Sequence, residues 1–120
     1  MAKKILIADD SLFMRTILKD ILSDQYKIVE AESGAQTEQK FKEENPDLVL
    51  LDIIMPGGEE EGIKVLRKIG KTNPKAKVVM ISAVGQDAIV KECKKLGALD
   101  FIIKPFDREE VIRVVHQCLD

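Results

Sequence analysis

Short apolar runs alternate along the chain with longer stretches in which apolar residues return every three or four positions. The runs are Ile5–Ala8, Ile28–Val29, Leu48–Leu51, Val78–Ile81 and Phe101–Ile103. Their length and β-branched content predict strands. In the first intervening stretch, Met14, Ile17, Leu18, Ile21 and Leu22 make one apolar stripe at helical spacing. The third repeats the pattern with Gly62, Val65, Leu66 and Ile69. The fourth does so with Ile89, Cys93 and Leu96, and the fifth with Val111, Val114, Val115 and Cys118. The second, Ser33–Glu44, is weaker. Only Ala35 and Phe41 are apolar there, and Thr37 and Glu38 stand where a core face would want carbon. It is expected to be the least well packed helix.

Five strand–helix pairs in alternation predict a doubly wound α/β domain, a parallel sheet with helices on both faces. Four strands read as continuous apolar runs, as strands covered on both faces should. The second, Lys27 to Glu32, carries charge within it and is expected at an edge. Pro46, Pro74, Gly97 and Pro105 fall between elements.

Length and composition narrow the picture. A chain of 120 residues makes one domain, 1–120. With 45% hydrophobic residues and a net charge of −2, it is expected to fold. No apolar run approaches the ~18 residues of a membrane span. Asp9 interrupts the first apolar run before it could serve as a signal peptide. A cytoplasmic protein is therefore expected, and the charge balance argues against nucleic acid as a partner. Cys93 and Cys118 make no disulfide framework, and His116 joins them at no zinc spacing.

The informative positions are those that end the runs. The first ends in Asp9-Asp10, the third in Asp52, the fourth in Ser82 and the fifth in Lys104. In an open α/β sheet the carboxyl ends of the strands line the ligand crevice, so these groups are expected to converge. Singly, each has an ordinary explanation: a helix cap for the Asp pair, a turn for Ser82, a solvated strand end for Lys104. Asp52, flanked by apolar residues on both sides, needs compensation for its charge. Three carboxylates and one lysine suit a hard cation such as Mg²⁺. A carboxylate can also attack phosphorus to give an acyl phosphate. Lys104 and Mg²⁺ would then stabilise charge on the phosphoryl group, with Ser82 as a hydrogen-bond donor to it.

Asp9-Asp10, Asp52 with Met55-Pro56, Ser82-Ala83 and Lys104-Pro105-Phe106 together resemble the receiver domain of two-component response regulators. The match runs through essentially the whole chain. Asp10-Ser11-Leu12-Phe13-Met14-Arg15 and Ser82-Ala83-Val84-Gly85-Gln86 are similar to the CheY-like chemotaxis branch of that family. The resemblance implies a flavodoxin-like (βα)5 fold with strand order 2-1-3-4-5. It implies that Asp52 is the phosphoacceptor and that Asp9, Asp10, Asp52 and the Ile54 backbone carbonyl hold Mg²⁺. Lys104 would pair with Asp52 and then with the phosphoryl group, across a cis Lys104-Pro105 bond. Ser82 and Phe101 would be the switch pair. The surface of the fourth helix, fifth strand and fifth helix, with Val90, Phe101, Ile103 and Val114, would meet the output partner. The implied partners are a sensor histidine kinase, of chemotaxis type, and a downstream motor-switch or adaptor protein. A monomer is expected, with pairing through the output face as the alternative. The implied protein accepts phosphoryl groups for signalling, rather than turning over a separate substrate.

Several positions depart from the family pattern. Gly57 to Glu61 place five residues between Pro56 and Gly62 where the family has three. The glycines point to a mobile loop, and the three glutamates to repulsion of anionic donors. Ile54 and Val84 are aliphatic where family members influence water attack, so slow loss of the phosphoryl group is expected. A phosphorelay intermediate outside chemotaxis is the alternative within the family. A flavin- or nucleotide-binding protein would need a glycine-rich first loop, which Asp9-Asp10-Ser11 is not. An aspartyl phosphatase of the haloacid dehalogenase type would need a second Asp where Ile54 stands.

Overall fold

The computed structural model describes residues 2–120. Ten elements alternate: β1 (Lys4–Ala8), α1 (Leu12–Leu22), β2 (Lys27–Ala31), α2 (Gly34–Glu44), β3 (Leu48–Leu51), α3 (Glu61–Thr72), β4 (Val78–Ser82), α4 (Asp87–Lys95), β5 (Asp100–Ile103) and α5 (Arg108–Leu119). The strands form one parallel sheet in the order β2-β1-β3-β4-β5, which puts the charged β2 at an edge. β1 is flanked by β2 and β3, with Ile5 opposite both Ile28 and Leu48. Among the described residues no helix is long and apolar enough to cross a membrane.

Side chains alternate across the sheet and build two cores. Ile5, Ile7, Leu48, Leu50, Val79, Ile81 and Ile102 meet α1 and α5. Leu6, Ala8, Val49, Leu51, Val78 and Met80 meet the other face, where they pack with Val65, Leu66 and Ile69 of α3, Cys93 of α4 and the partly buried Phe41 of α2. α4 is the shortest helix, and Cys93 is its only fully buried residue. α5 buries Val111, Val114, Val115 and Leu119. Two lysines close its last turn: Lys3 Nζ donates to the Leu119 carbonyl (2.8 Å) and Lys77 Nζ to the Cys118 carbonyl (2.7 Å). Cations there complement the helix dipole.

α2 shows how a polar helix can still dock. It turns Gly34 and Thr37 inward with Phe41 beside them, while Ala35 is exposed. Thr37 is fully buried, and its hydroxyl donates to the Ser33 carbonyl at 2.7 Å, so no polar atom is left unpaired. Glu38 stays part-exposed and lies 3.6 Å from Lys68.

The glycine-rich segment before α3 is a hydrogen-bonded turn. The Gly58 amide donates to the Met55 carbonyl (3.2 Å), and the two residues form an isolated bridge. Gly57 and Gly58 have φ of 116° and 150°, a region only glycine enters without strain.

Candidate functional site

Four of the five strands, β1, β3, β4 and β5, bring a polar residue at or just past their carboxyl end to the same rim of the sheet. The Asp52 amide donates to the Ala8 carbonyl at 3.0 Å, setting the ends of β1 and β3 side by side. The Lys104 amide donates to the Ser82 carbonyl at 2.9 Å and does the same for β4 and β5. The Lys104 ammonium then reaches across the sheet. It donates to Asp9 Oδ2 at 2.7 Å and to Asp52 Oδ2 at 2.8 Å. The peptide bond between Lys104 and Pro105 is cis.

The remaining carboxylate lone pairs meet backbone. Asp9 Oδ1 accepts from the Ser11 amide (2.9 Å), and Asp52 Oδ1 from its neighbour Ile53 (2.7 Å). Ser11, whose Oγ accepts from the Met14 amide, is the N-cap of α1. The capping role is thus filled, and the Asp pair is available for other chemistry. Asp10 is exposed, whereas Asp9 and Asp52 are buried. Carboxylate oxygens of Asp9, Asp10 and Asp52 lie within 4.8 Å of one another. A cluster of three carboxylates that close, with one lysine to balance it, fits a small oxygen-liganded dication.

Burial pushes the Asp9 carboxyl above the usual carboxylate range, against the pull of Lys104 and the Ser11 amide. Burial pulls the Lys104 ammonium down, but its hydrogen bonds to Asp52 and Asp9 outweigh that and hold it above its ordinary value. The ion pair therefore secures the lysine's charge without offsetting the cost of Asp9's burial.

Ser82 is buried at the end of β4, and its Oγ accepts a long bond (3.3 Å) from the Val84 amide. Phe101 is half-buried and packs against the core beneath α3 and α4. Ile103 is 49% exposed, and its Cδ1 lies 2.8 Å from where a Cβ on Gly85 would stand. Val90 is half-buried on α4. Val114 does not share their surface. It is 2% exposed and belongs to the α1/α5 core with Ile102 and Val111. At its place in the helical period, an apolar side chain follows the sheet-facing stripe.

One residue at the site carried no role in the sequence reading. Arg15 lies on the buried face of α1 with Leu18 and Leu22. Its Nη1 donates to the Asp9 carbonyl (2.7 Å), and its Nε to Glu30 of β2 (3.0 Å). It ties the turn that carries Asp9 and Asp10 to the edge strand. The only available signal was its i, i+3, i+7 relation to Leu18 and Leu22, which hydropathy alone would not reveal. Leu12 and Phe13, just after the Asp pair, are 66% and 73% exposed and form an apolar lip beside the site.

Comparison with known proteins bears on the family and the fold. The family model for the response regulator receiver domain matches residues 5–116. The chain is 44% identical over 122 residues to the chemotaxis protein CheY of Bacillus subtilis (strain 168), covering all of both. It is 35% identical to sporulation initiation phosphotransferase F of the same organism, over 99% of this chain and 95% of that one. Among solved structures, the CheX–CheY–BeF3–Mg²⁺ complex from Borrelia burgdorferi superposes with a TM-score of 0.89 at 39% identity. The match covers 96% of this chain and 87% of the other. With its sheet order, its rim of acidic residues and lysine, and relatives matched along its whole length, this chain belongs to the response regulator receiver domain family.

Proposed function

We propose that the chain is a chemotaxis-type response regulator that takes a phosphoryl group on Asp52 and signals through its α4-β5-α5 face. One observation carries the reading: a single ammonium bridges Asp9 and Asp52 inside a carboxylate cluster sized for a dication. A histidine kinase is the donor. An Asp52 carboxylate oxygen attacks phosphorus, the bond from phosphorus to the imidazole nitrogen breaks, and that nitrogen keeps the electron pair. Asp9, Asp10, Asp52 and the Ile54 carbonyl would hold Mg²⁺, which when bound neutralises charge on the transferring group. Lys104 moves with that charge from the carboxylate to a phosphoryl oxygen. Ser82 gives up the long bond from Val84 and donates to another phosphoryl oxygen. Phe101 follows into the space that Ser82 leaves. Val90, Phe101 and Ile103 then present the changed surface to a motor-switch or adaptor protein. The exposed Leu12–Phe13 lip offers the donor kinase an apolar contact beside Asp10.

The test is intact mass after incubation with acetyl phosphate. Wild type is expected to gain one phosphoryl group with Mg²⁺ and none without it, and Asp52→Asn none in either case. Failure with both acetyl phosphate and a histidine kinase would overturn the reading. Loss of the group is expected to be slow, because neither Ile54 nor Val84 can orient water. Ile54→Asn supplies one hydrogen bond to the attacking water, about 1 kcal/mol or several-fold in rate. A wild-type lifetime of seconds, followed by phosphate release, would contradict this.

A further inference from the structure

Beside the acceptor, on the side away from α5, lies a groove of about 490 Å³ between the β3–α3 turn and α4. Ile54, Ile63, Val84 and Ile89 line it with aliphatic carbon. Ile54 is 44% exposed, and Val84 and Ile89 are half-buried, so the apolar surface is open to a ligand. The rim is acidic. Glu59 and Glu60 stand on the turn and Glu92 on α4, and no cation lines the groove among the described residues. Glu92 has a distant partner in Arg67 at 3.9 Å, whereas Glu59 and Glu60 enter no ion pair among the described residues. Three carboxylates around an aliphatic floor exceed the net charge of the whole chain, −2.

We infer that this groove docks a basic amphipathic segment of a partner protein, one or two aliphatic side chains entering and flanking lysines or arginines meeting the glutamates. The complementarity is both electrostatic and apolar, the combination by which helix-in-groove sites select their ligands. A second copy of this chain fits less well. Its basic stripe, Lys64, Arg67, Lys68 and Lys71 on α3, is the solvent side of a helix whose apolar residues are buried. α4 is shared, giving Ile89 and Glu92 to this groove and Val90 to the α4-β5-α5 face. Ile54 adjoins Asp52, so the occupant would lie beside the phosphoacceptor.

The probe is a labelled amphipathic leucine–lysine peptide, with a leucine–glutamate peptide as its counterpart. Binding is followed by fluorescence anisotropy and mapped by backbone amide shifts. The lysine peptide is expected to bind with shifts centred on Ile54, Ile63, Val84 and Ile89, and the glutamate peptide not to bind. The combined Glu59→Gln, Glu60→Gln, Glu92→Gln variant should weaken binding about tenfold or more. Val84→Lys should do so through the floor. Melting curves establish that both variants fold. Equal binding of the two peptides, unchanged affinity in the glutamine variant, or shifts confined to another face would each overturn the proposal. So would concentration-dependent self-association abolished by the same glutamine changes, which would make the occupant a second copy.

Discussion

Lys104→Met is expected to destabilise the metal-free protein by about 3–5 kcal/mol, the usual consequence of removing one partner from a buried ion pair. The lysine side chain is 16% exposed, and the Asp9 and Asp52 side chains it joins are 4% and 9% exposed. Without it, two buried carboxylates face each other with no cation between them. Denaturant melts with and without Mg²⁺ test the expectation in two ways. The midpoint should fall sharply in the absence of metal. The gain on adding Mg²⁺ should then exceed that of wild type, because the dication replaces the missing charge without competition. A variant as stable as wild type without metal would show that the lysine is not the compensating cation. The pH dependence follows from the same groups. Asp9 has a raised native pKa, so its ionisation works against the fold: stability is gained as pH falls through that pKa and lost as pH rises through it. In the methionine variant this acid-side gain should be larger. Lys104 in wild type is also raised. Its contribution is complete below its ordinary value of 10.5 and is lost as pH climbs through the native value. Alkaline titration should therefore weaken wild type in a step absent from the methionine variant.

Gly62→Ala should be the most damaging single methyl group added to this fold. A Cβ at Gly62 would collide with the Asp52 carbonyl oxygen and stand 2.6 Å from Ile53 Cα. Both contacts are backbone, so no side chain can rotate away. The Gly62 amide also donates to the Ile53 carbonyl at 2.7 Å, which holds α3 against the end of β3. Relief requires that helix and strand separate at the residue beside the acceptor. A loss of about 3 kcal/mol, at the upper end of ordinary overpacking, is expected. Phosphorylation from acetyl phosphate should fall with it, because Asp52 moves. Gly70→Ala is the internal control in the same helix. Its Cβ would meet only the Leu96 carbonyl at 3.5 Å, an ordinary contact. The expected change there is a gain of roughly 0.5–1 kcal/mol from helix propensity. Equal melting midpoints for the two variants would refute the steric account.

The sheet was legible because burial on both faces writes itself into consecutive residues. Leu48–Leu51 and Val78–Ile81 leave no other reading, and the charges in Lys27 to Glu32 name the edge. The rim of Asp9, Asp10, Asp52, Ser82 and Lys104 was legible for a related reason, since each polar residue interrupts carbon at the same end of a parallel strand. Other features depend on pairs that sequence spacing does not connect. Arg15 is buried because a carbonyl at Asp9 and a carboxylate at Glu30 await it, and neither is visible from α1 alone. Thr37 is buried because its hydroxyl folds back onto Ser33, so a polar letter occupies a core position. Val114 was placed on the output surface by resemblance, yet the periodicity with Val111 and Val115 already described an inward stripe. The Gly57–Glu61 segment looked unconstrained because glycine signals freedom in isolation. In the fold, the same glycines are what allow a tight turn.

The two lysines over the end of α5 bear on which part of the surface can yield. Lys3 comes from the segment before β1, and Lys77 immediately precedes β4, so the final turn of α5 is fastened to the base of two central strands. α4 has no such fastening, and only Cys93 is sunk in the core. Local opening follows the weakest set of buried contacts. Amide exchange is therefore expected to be slow in α5 and fast in α4, the two helices flanking β5 serving as a fixed post and a moving leaf. A ligand that reads both would be sensing the gap between them.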